Sequence, residues 1–132
     1  MKKILSANLA GKILIALFIV LLIMHALILL GVLPSSIIWG GQIKEDQSNL
    51  LGLEAVAITL SFLFIGLTTL KIRQINSGGK KLLVNLGSWL VFAYLVMNIL
   101  GNFASGVSLE TLIFGPLTIV MALCALRIAL EK

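Results

Sequence analysis

The sequence predicts an all-α integral membrane protein: four transmembrane helices in an up-down-up-down bundle, with both termini cytoplasmic. Three observations carry that expectation. First, 60% of the 132 residues are hydrophobic, only 11% are charged and the mean hydropathy is +1.16, where soluble domains run about 45–50% apolar and about 25% charged. A domain this small buries only about 60–70% of its surface, so a water-soluble globule would leave much of that apolar surface wet. Second, four apolar runs each reach the roughly 20 residues needed to cross a bilayer. Third, the basic residues sort onto alternate connections, the pattern that sets orientation in membranes. The same arithmetic argues against a soluble enzyme, a disordered tail and a disulfide-stapled secreted domain. The single Cys124 allows no internal disulfide and no paired-thiol redox site, and inside an apolar run it reads as a small packed hydrophobe.

The chain reads as one four-helix domain over residues 1–132. The first span covers residues 11–33. Lys2 and Lys3 precede it as they would a signal peptide, but the run is too long for a signal's apolar region and no small-x-small cleavage pattern follows, so it is expected to be retained. The first loop, 34–49, holds Trp39, Gly40, Gly41 and Gln42, then Lys44 beside Glu45 and Asp46. The second span covers 50–70, where Glu54, Ser61 and Thr68 recur every seven residues and define one inward stripe. Ser77-Gly78-Gly79 makes the next link a short turn, which favours antiparallel neighbours. The third span covers 82–101. The fourth covers 109–130 and carries Thr111, Gly115, Thr118, Ala122, Ala125 and Ala129 at three- and four-residue steps, a small-residue face suited to close packing in lipid or to a second copy of the chain. Pro116 is expected to kink this helix rather than end it, because a fresh start there leaves too little chain to span.

Nine of the ten basic residues (Lys2, Lys3, Lys12, Lys71, Arg73, Lys80, Lys81, Arg127 and Lys132) fall on one side of this arrangement, and only Lys44 falls on the other. The expected localisation is therefore the inner (plasma) membrane, multi-pass, with both termini inside and the first and third loops outside. The net charge of +5 and the pI near 9.7 would suggest nucleic acid in a soluble protein. Here the cations flank apolar runs, so the expected partners are membrane lipids and not nucleic acid.

Polar groups at membrane depth cost several kcal/mol unless they are satisfied, so their positions carry information. His25, Glu54, Asn98, Asn102 and Glu110 all fall in the outer half, next to the Trp39, Gly40, Gly41 and Gln42 loop. Each has a bland reading beside the functional one. Trp39 suits an interfacial anchor, the glycine pair a turn, and His25 a packing histidine. Glu110 after Ser108 complements a helix N-terminus. Asn98 and Asn102, one turn apart, suit interhelical hydrogen bonds. Glu54 is harder to dismiss, being about one turn inside an apolar span with no neighbouring Lys or Arg. It calls for hydrogen bonds across helices or a wet cavity, with Asn98 and Asn102 the expected partners. Together these residues predict a polar pocket opening outward.

The segment Ile37-Ile38-Trp39-Gly40-Gly41-Gln42-Ile43, followed by Glu54, then Asn98 to Gly101-Asn102, then Glu110, resembles the signature of small, uncharacterised four-helix membrane proteins of bacteria. That resemblance spans nearly the whole chain on short motifs. It implies a bacterial membrane protein and supplies no activity. Small multidrug exporters place a membrane-embedded Glu in the first span, which is absent here, and vitamin K epoxide reductase-like enzymes need paired cysteines. Emopamil-binding-type proteins are similar in span count and polar content, at the level of the fold only.

Three functions compete. The first is a binding module for a small amphipathic or lipid-like ligand, with Trp39, Gly40, Gly41, Gln42, Glu54, Asn98, Asn102 and Glu110 as the ligand-binding residues. The second is an enzyme on a lipid-soluble substrate, with Glu54 or Glu110 as acid or base and His25 as partner. It is the weaker reading, because no nucleophile–base pair stands out. The third is a structural or interaction subunit, with Gly115, Thr118 and Ala122 as a face for homo-oligomer contact. No metal-ligand spacing and no cofactor motif is present in the sequence, so neither a metal nor a cofactor is expected.

Overall fold

The computed structural model describes residues 5–39 and 47–131, with Gln47 and Ser48 as backbone only. Four helices dominate: α1 (Ala7–Leu29), α2 (Gln47–Ser77), α3 (Leu82–Ala104) and α4 (Gly115–Ala129). A 3₁₀ turn (Ser35–Ile37) follows α1, and a π-helical turn (Glu110–Phe114) leads directly into α4. No strand occurs among the described residues. Ala7–Leu29, Asn49–Ser77, Leu82–Ala104 and Glu110–Ala129 are each long and apolar enough to cross a membrane.

Local chemistry fixes the ends. Ser6 caps α1, its hydroxyl accepting from Leu9 N–H at 3.2 Å. At the other end Gly31 adopts φ +75°. Its N–H donates to the Ile28 carbonyl while Val32 N–H donates to that of Leu27, which is the two-bond closure glycine permits at a helix C-terminus. That closure ends α1 at Leu29, earlier than the expected residue 33. In the opposite sense α2 runs past residue 70 to Ser77. Lys71 and Gln74 therefore belong to the helix and are buried within the bundle, correcting the expectation that residues 71–81 form the link. Pro116 lacks the N–H that an unbroken α-helix requires and its ring crowds the preceding turn. The chain answers with the π turn, in which Gly115 N–H reaches the Glu110 carbonyl. The helix continues, as expected, but the irregularity lies just before the proline.

The helices alternate in direction around a ring. α1 packs against α2 and α4, and α3 against α4 and, less extensively, α2. Antiparallel pairing follows from the contacts along each seam. On α1 and α2, Gly11 meets Ile72, the Phe18 and Phe64 rings lie 5.6 Å apart, and His25 meets Glu54. On α2 and α3, Lys71 meets Asn85 and the Phe64 and Tyr94 rings lie 4.8 Å apart. A Cβ on Gly11 would lie 2.5 Å from Ile72 Cδ1, so the absence of a side chain there sets how closely α1 approaches α2. The middle of the bundle is an apolar layer of Leu14, Phe18, Phe64, Val91, Leu95 and Met121. Its outer faces carry exposed Leu, Ile, Val and Phe along every helix, the reverse of a water-soluble bundle and the surface a hydrocarbon phase requires.

α4 is the most enclosed helix, with half of its most apolar stretch buried. Its small-residue face is consumed inside the chain. Gly115 abuts the Phe103 ring, and Thr118, Ala122 and Ala125 are buried among the other helices. The Gly115, Thr118 and Ala122 face expected to meet a second copy is therefore covered by the chain's own α1 and α3.

Candidate functional site at the Glu54 end

The seven-residue spacing on α2 turns Glu54, Ser61 and Thr68 inward, and all three are buried. Glu54 has no solvent exposure at all, and both its oxygens are engaged. Trp39 Nε1–H donates to Oε1 at 2.8 Å, and His25 Nδ1 lies 2.7 Å from Oε2. An indole N–H can only donate, so Oε1 is an acceptor. Between Oε2 and Nδ1 a single proton is shared, carried by the imidazole when the carboxyl is ionised. One helix, through His25, and the segment after it, through Trp39, thus converge on one carboxyl, which satisfies a group that would be costly to bury alone.

Trp39 reaches back to the bundle end. Its φ is +57°, a region that bulky residues rarely occupy and that costs on the order of 1–3 kcal/mol. The hydrogen bond to Glu54 and the tilted contact with the His25 ring, 6.4 Å between centroids, hold the indole over the bundle end in that conformation. The residues that follow it in the expected pocket, Gly40, Gly41 and Gln42, lie outside the described residues.

Asn98 and Asn102 do not pair with Glu54, contrary to expectation. Asn98 Nδ2 donates to the Tyr94 carbonyl at 3.0 Å, and Asn102 Nδ2 donates to Thr118 Oγ1 at 3.3 Å. Thr118 Oγ1 in turn donates to the Phe114 and Gly115 carbonyls at 2.8 and 2.9 Å. Thr111 Oγ1 donates to the Asn102 carbonyl at 3.1 Å. Glu110 opens the π turn and is buried, with the Ser105 hydroxyl donating to it. Ser105, not Ser108, ties this corner, since its hydroxyl also accepts from Val107 N–H.

A cavity of about 130 Å³ lies inside this ring, lined by His25, Trp39, Asn98, Asn102, Glu110 and Thr118 on its polar side and by Leu21, Met24, Ala57, Tyr94 and Phe114 on its apolar side. A smaller pocket of about 60 Å³ continues down the axis to Ser61 and Phe64, sharing the His25, Ala57, Asn98 and Thr118 walls. A groove of about 490 Å³ leads away from Trp39 and Glu110 past Met97, Gly101 and Ala104 on α3. Glu54 lines none of these spaces. It stands behind His25 and Trp39 and acts on the cavity through them, the way an outer carboxylate orients an imidazole. Nδ1 is engaged by Glu54, and Nε2 is the other ring nitrogen.

Of the residues singled out in the sequence, His25, Trp39, Asn98, Asn102 and Glu110 share one cavity. Tyr94, Ser105, Thr111 and Thr118 were missed as participants. Tyr94 and Asn98 stand at i, i+4, a spacing that signals a shared face, whereas nothing local links Thr118 to Asn102. Among the described residues no group of three or more His, Cys, Asp or Glu could hold a metal ion. No protein-family model, curated protein or solved structure matches the chain.

Proposed function

We propose that the chain is a multi-pass protein of a bacterial inner membrane, with both termini on the cytoplasmic side, that binds a small amphipathic or lipid-like ligand in the cavity at the Glu54 end. In that orientation the cavity faces outward. The sorting of nine of the ten basic residues to one side supports the orientation. The observation that carries the binding role is the cavity itself. It has a mainly apolar wall with several polar groups, it sits between helices, and a groove joins it to the lipid-facing side of α3. Such sites take ligands with a polar head and an apolar body.

A second reading rests on the 2.7 Å contact between His25 and Glu54. A carboxylate that orients an imidazole beside a cavity suits a general base, so an enzyme acting on a lipid-soluble substrate would use His25 as base and Glu54 as its positioning residue.

Mass spectrometry of the full chain extracted gently from membranes tests the binding role. The expected result is a retained amphiphile that is lost from Ala57→Phe, which fills the cavity. A chain that carries the same lipids in both forms would remove the reading. Impermeant thiol labelling in a Cys124→Ala background tests the orientation. Ser48→Cys should react in intact cells and Ser77→Cys should not, and the opposite pattern would invert the cavity's placement.

A further inference from the structure

Tyr94, Asn98 and Asn102 follow one another at four-residue steps on α3, and all of them line the cavity. Successive members rise about 6 Å along the helix axis on one face. Each can give and take hydrogen bonds. Asn98 spends one N–H on the Tyr94 carbonyl, and Asn102 spends one on Thr118 Oγ1. Each amide keeps its second N–H and its oxygen, and the Tyr94 hydroxyl both donates and accepts. His25 Nε2 completes the set. With a neutral imidazole it accepts when Nδ1 holds the proton shared with Glu54, and donates when the carboxyl holds it. The cavity therefore offers donors and acceptors side by side.

Its charges are answered before a ligand arrives. Both Glu54 oxygens are taken, by Trp39 and His25. Glu110 receives the Ser105 hydroxyl and has a further interaction besides. Among the described residues no Lys or Arg lines the cavity. A charged head that enters a bundle loses its hydration at a cost of several kcal/mol, and it meets here no counter-ion that the protein has left unengaged. An uncharged head that both donates and accepts loses little, because the hydrogen bonds it gives up to water are remade on the wall. Size narrows the choice. A cavity of about 150 Å³ holds a benzene, so the space here, about 130 Å³, suits a head of benzene's size. A glyceryl group has that size and spreads its oxygens along a short chain, as α3 spreads its polar groups along one face.

Resting on the reading of this cavity as an amphiphile site, we propose that its ligand is a neutral glyceride with a free diol, a monoacylglycerol. The hydroxyls and ester of the head pair with Tyr94, Asn98, Asn102 and His25. The acyl chain leaves along the groove past Met97 and Ala104 toward lipid.

The test uses the full chain carrying Trp89→Phe, an exposed position, so that Trp39 is the only tryptophan. In phosphatidylcholine nanodiscs it is titrated with monolauroylglycerol, dodecanol, dodecylammonium and dodecanoate at matched mole fractions in the bilayer, while Trp39 emission is followed. The expected result is saturable binding of monolauroylglycerol at least about tenfold tighter than any of the others, the worth of one or two added hydrogen bonds. Tyr94→Phe, which keeps the ring against Phe64, should weaken that binding severalfold, and Asn98→Leu about tenfold, in chains whose thermal unfolding is unchanged. Equal or tighter binding of dodecanol, dodecylammonium or dodecanoate would overturn the glyceride head and leave the amphiphile site standing. Undiminished affinity for monolauroylglycerol in the folded variants would do the same. No response of Trp39 to any of the ligands would remove both.

Discussion

The two ends of the bundle are built from similar materials and put them to opposite uses. At the Lys71 end, polar side chains bind the helices to one another. Lys71 Nζ, fully buried, donates to Asn85 Oδ1 at 2.5 Å and to the Glu131 carbonyl at 2.7 Å, joining α2 to α3 and to the end of α4. Gln74 Nε2 donates to the same Asn85 oxygen at 2.8 Å. Arg127 Nε donates to the Leu5 carbonyl at 2.8 Å and its Nη1 to Glu131 Oε2 at 2.6 Å, which holds the segment before α1 against α4. At the Glu54 end the amides and hydroxyls bond mainly to backbone on their own or the adjacent helix, and a cavity is left in the middle. Charge satisfied across helices closes one end. Charge satisfied behind the wall, as with Glu54, keeps the other end open and lined with polar atoms.

The largest effect should come from breaking the closed end. Asn85→Ala removes the oxygen shared by Lys71 and Gln74 and leaves a buried ammonium with one carbonyl. Removing one partner of a buried charge costs about 3 kcal/mol or more, so unfolding in mixed micelles should shift by that amount. Adding Lys71→Met to Asn85→Ala should recover part of the loss, because the uncompensated charge goes with it. No recovery would mean that the clasp holds by packing and not by charge.

At the open end the effects should be smaller and should separate by chemistry. Glu54→Ala orphans the Trp39 N–H and the His25 Nδ1, but both border a space that water or a ligand can reach. The expected cost is about 2 kcal/mol. Glu54→Gln keeps an acceptor for Trp39 and offers an N–H to His25, so its cost should stay under about 1 kcal/mol. A Gln as damaging as Ala in the same unfolding assay would show that the ionised carboxylate, not the hydrogen-bond geometry, holds the wall.

The helix count and the inward stripe of α2 were legible because they rest on length and on a seven-residue spacing, which survive any tertiary arrangement. The stop at Gly31 was also written in the sequence, as a glycine three residues before Pro34, but hydropathy runs through it. Lys71 was read as part of a link because a lysine after an apolar run usually flanks it. Nothing local reveals that Asn85 and the end of α4 wait at the same depth to receive its ammonium. The partners of Glu54 were misjudged for a related reason. Depth in the bilayer follows from position along each helix, whereas which face of α3 turns toward α2 depends on rotation, and that is set by packing of all four helices together. Trp39 could not be placed on Glu54 by any periodicity, since it sits in a loop at positive φ.

The contrast between the ends is tested most directly by thiol accessibility on one helix. Asn98 and Ser88 both lie on α3, Asn98 lining the cavity and Ser88 buried toward the Lys71 end with its hydroxyl donating to the Asn85 carbonyl. In a Cys124→Ala background, Asn98→Cys and Ser88→Cys are exposed separately to a small aminoethyl thiosulfonate reagent, with the chain in micelles so that both ends meet the solution. An open cavity predicts that Asn98→Cys reacts at least about tenfold faster than Ser88→Cys, because the reagent reaches the cavity and not the packed end. Equal rates, or faster reaction at Ser88→Cys, would contradict the account.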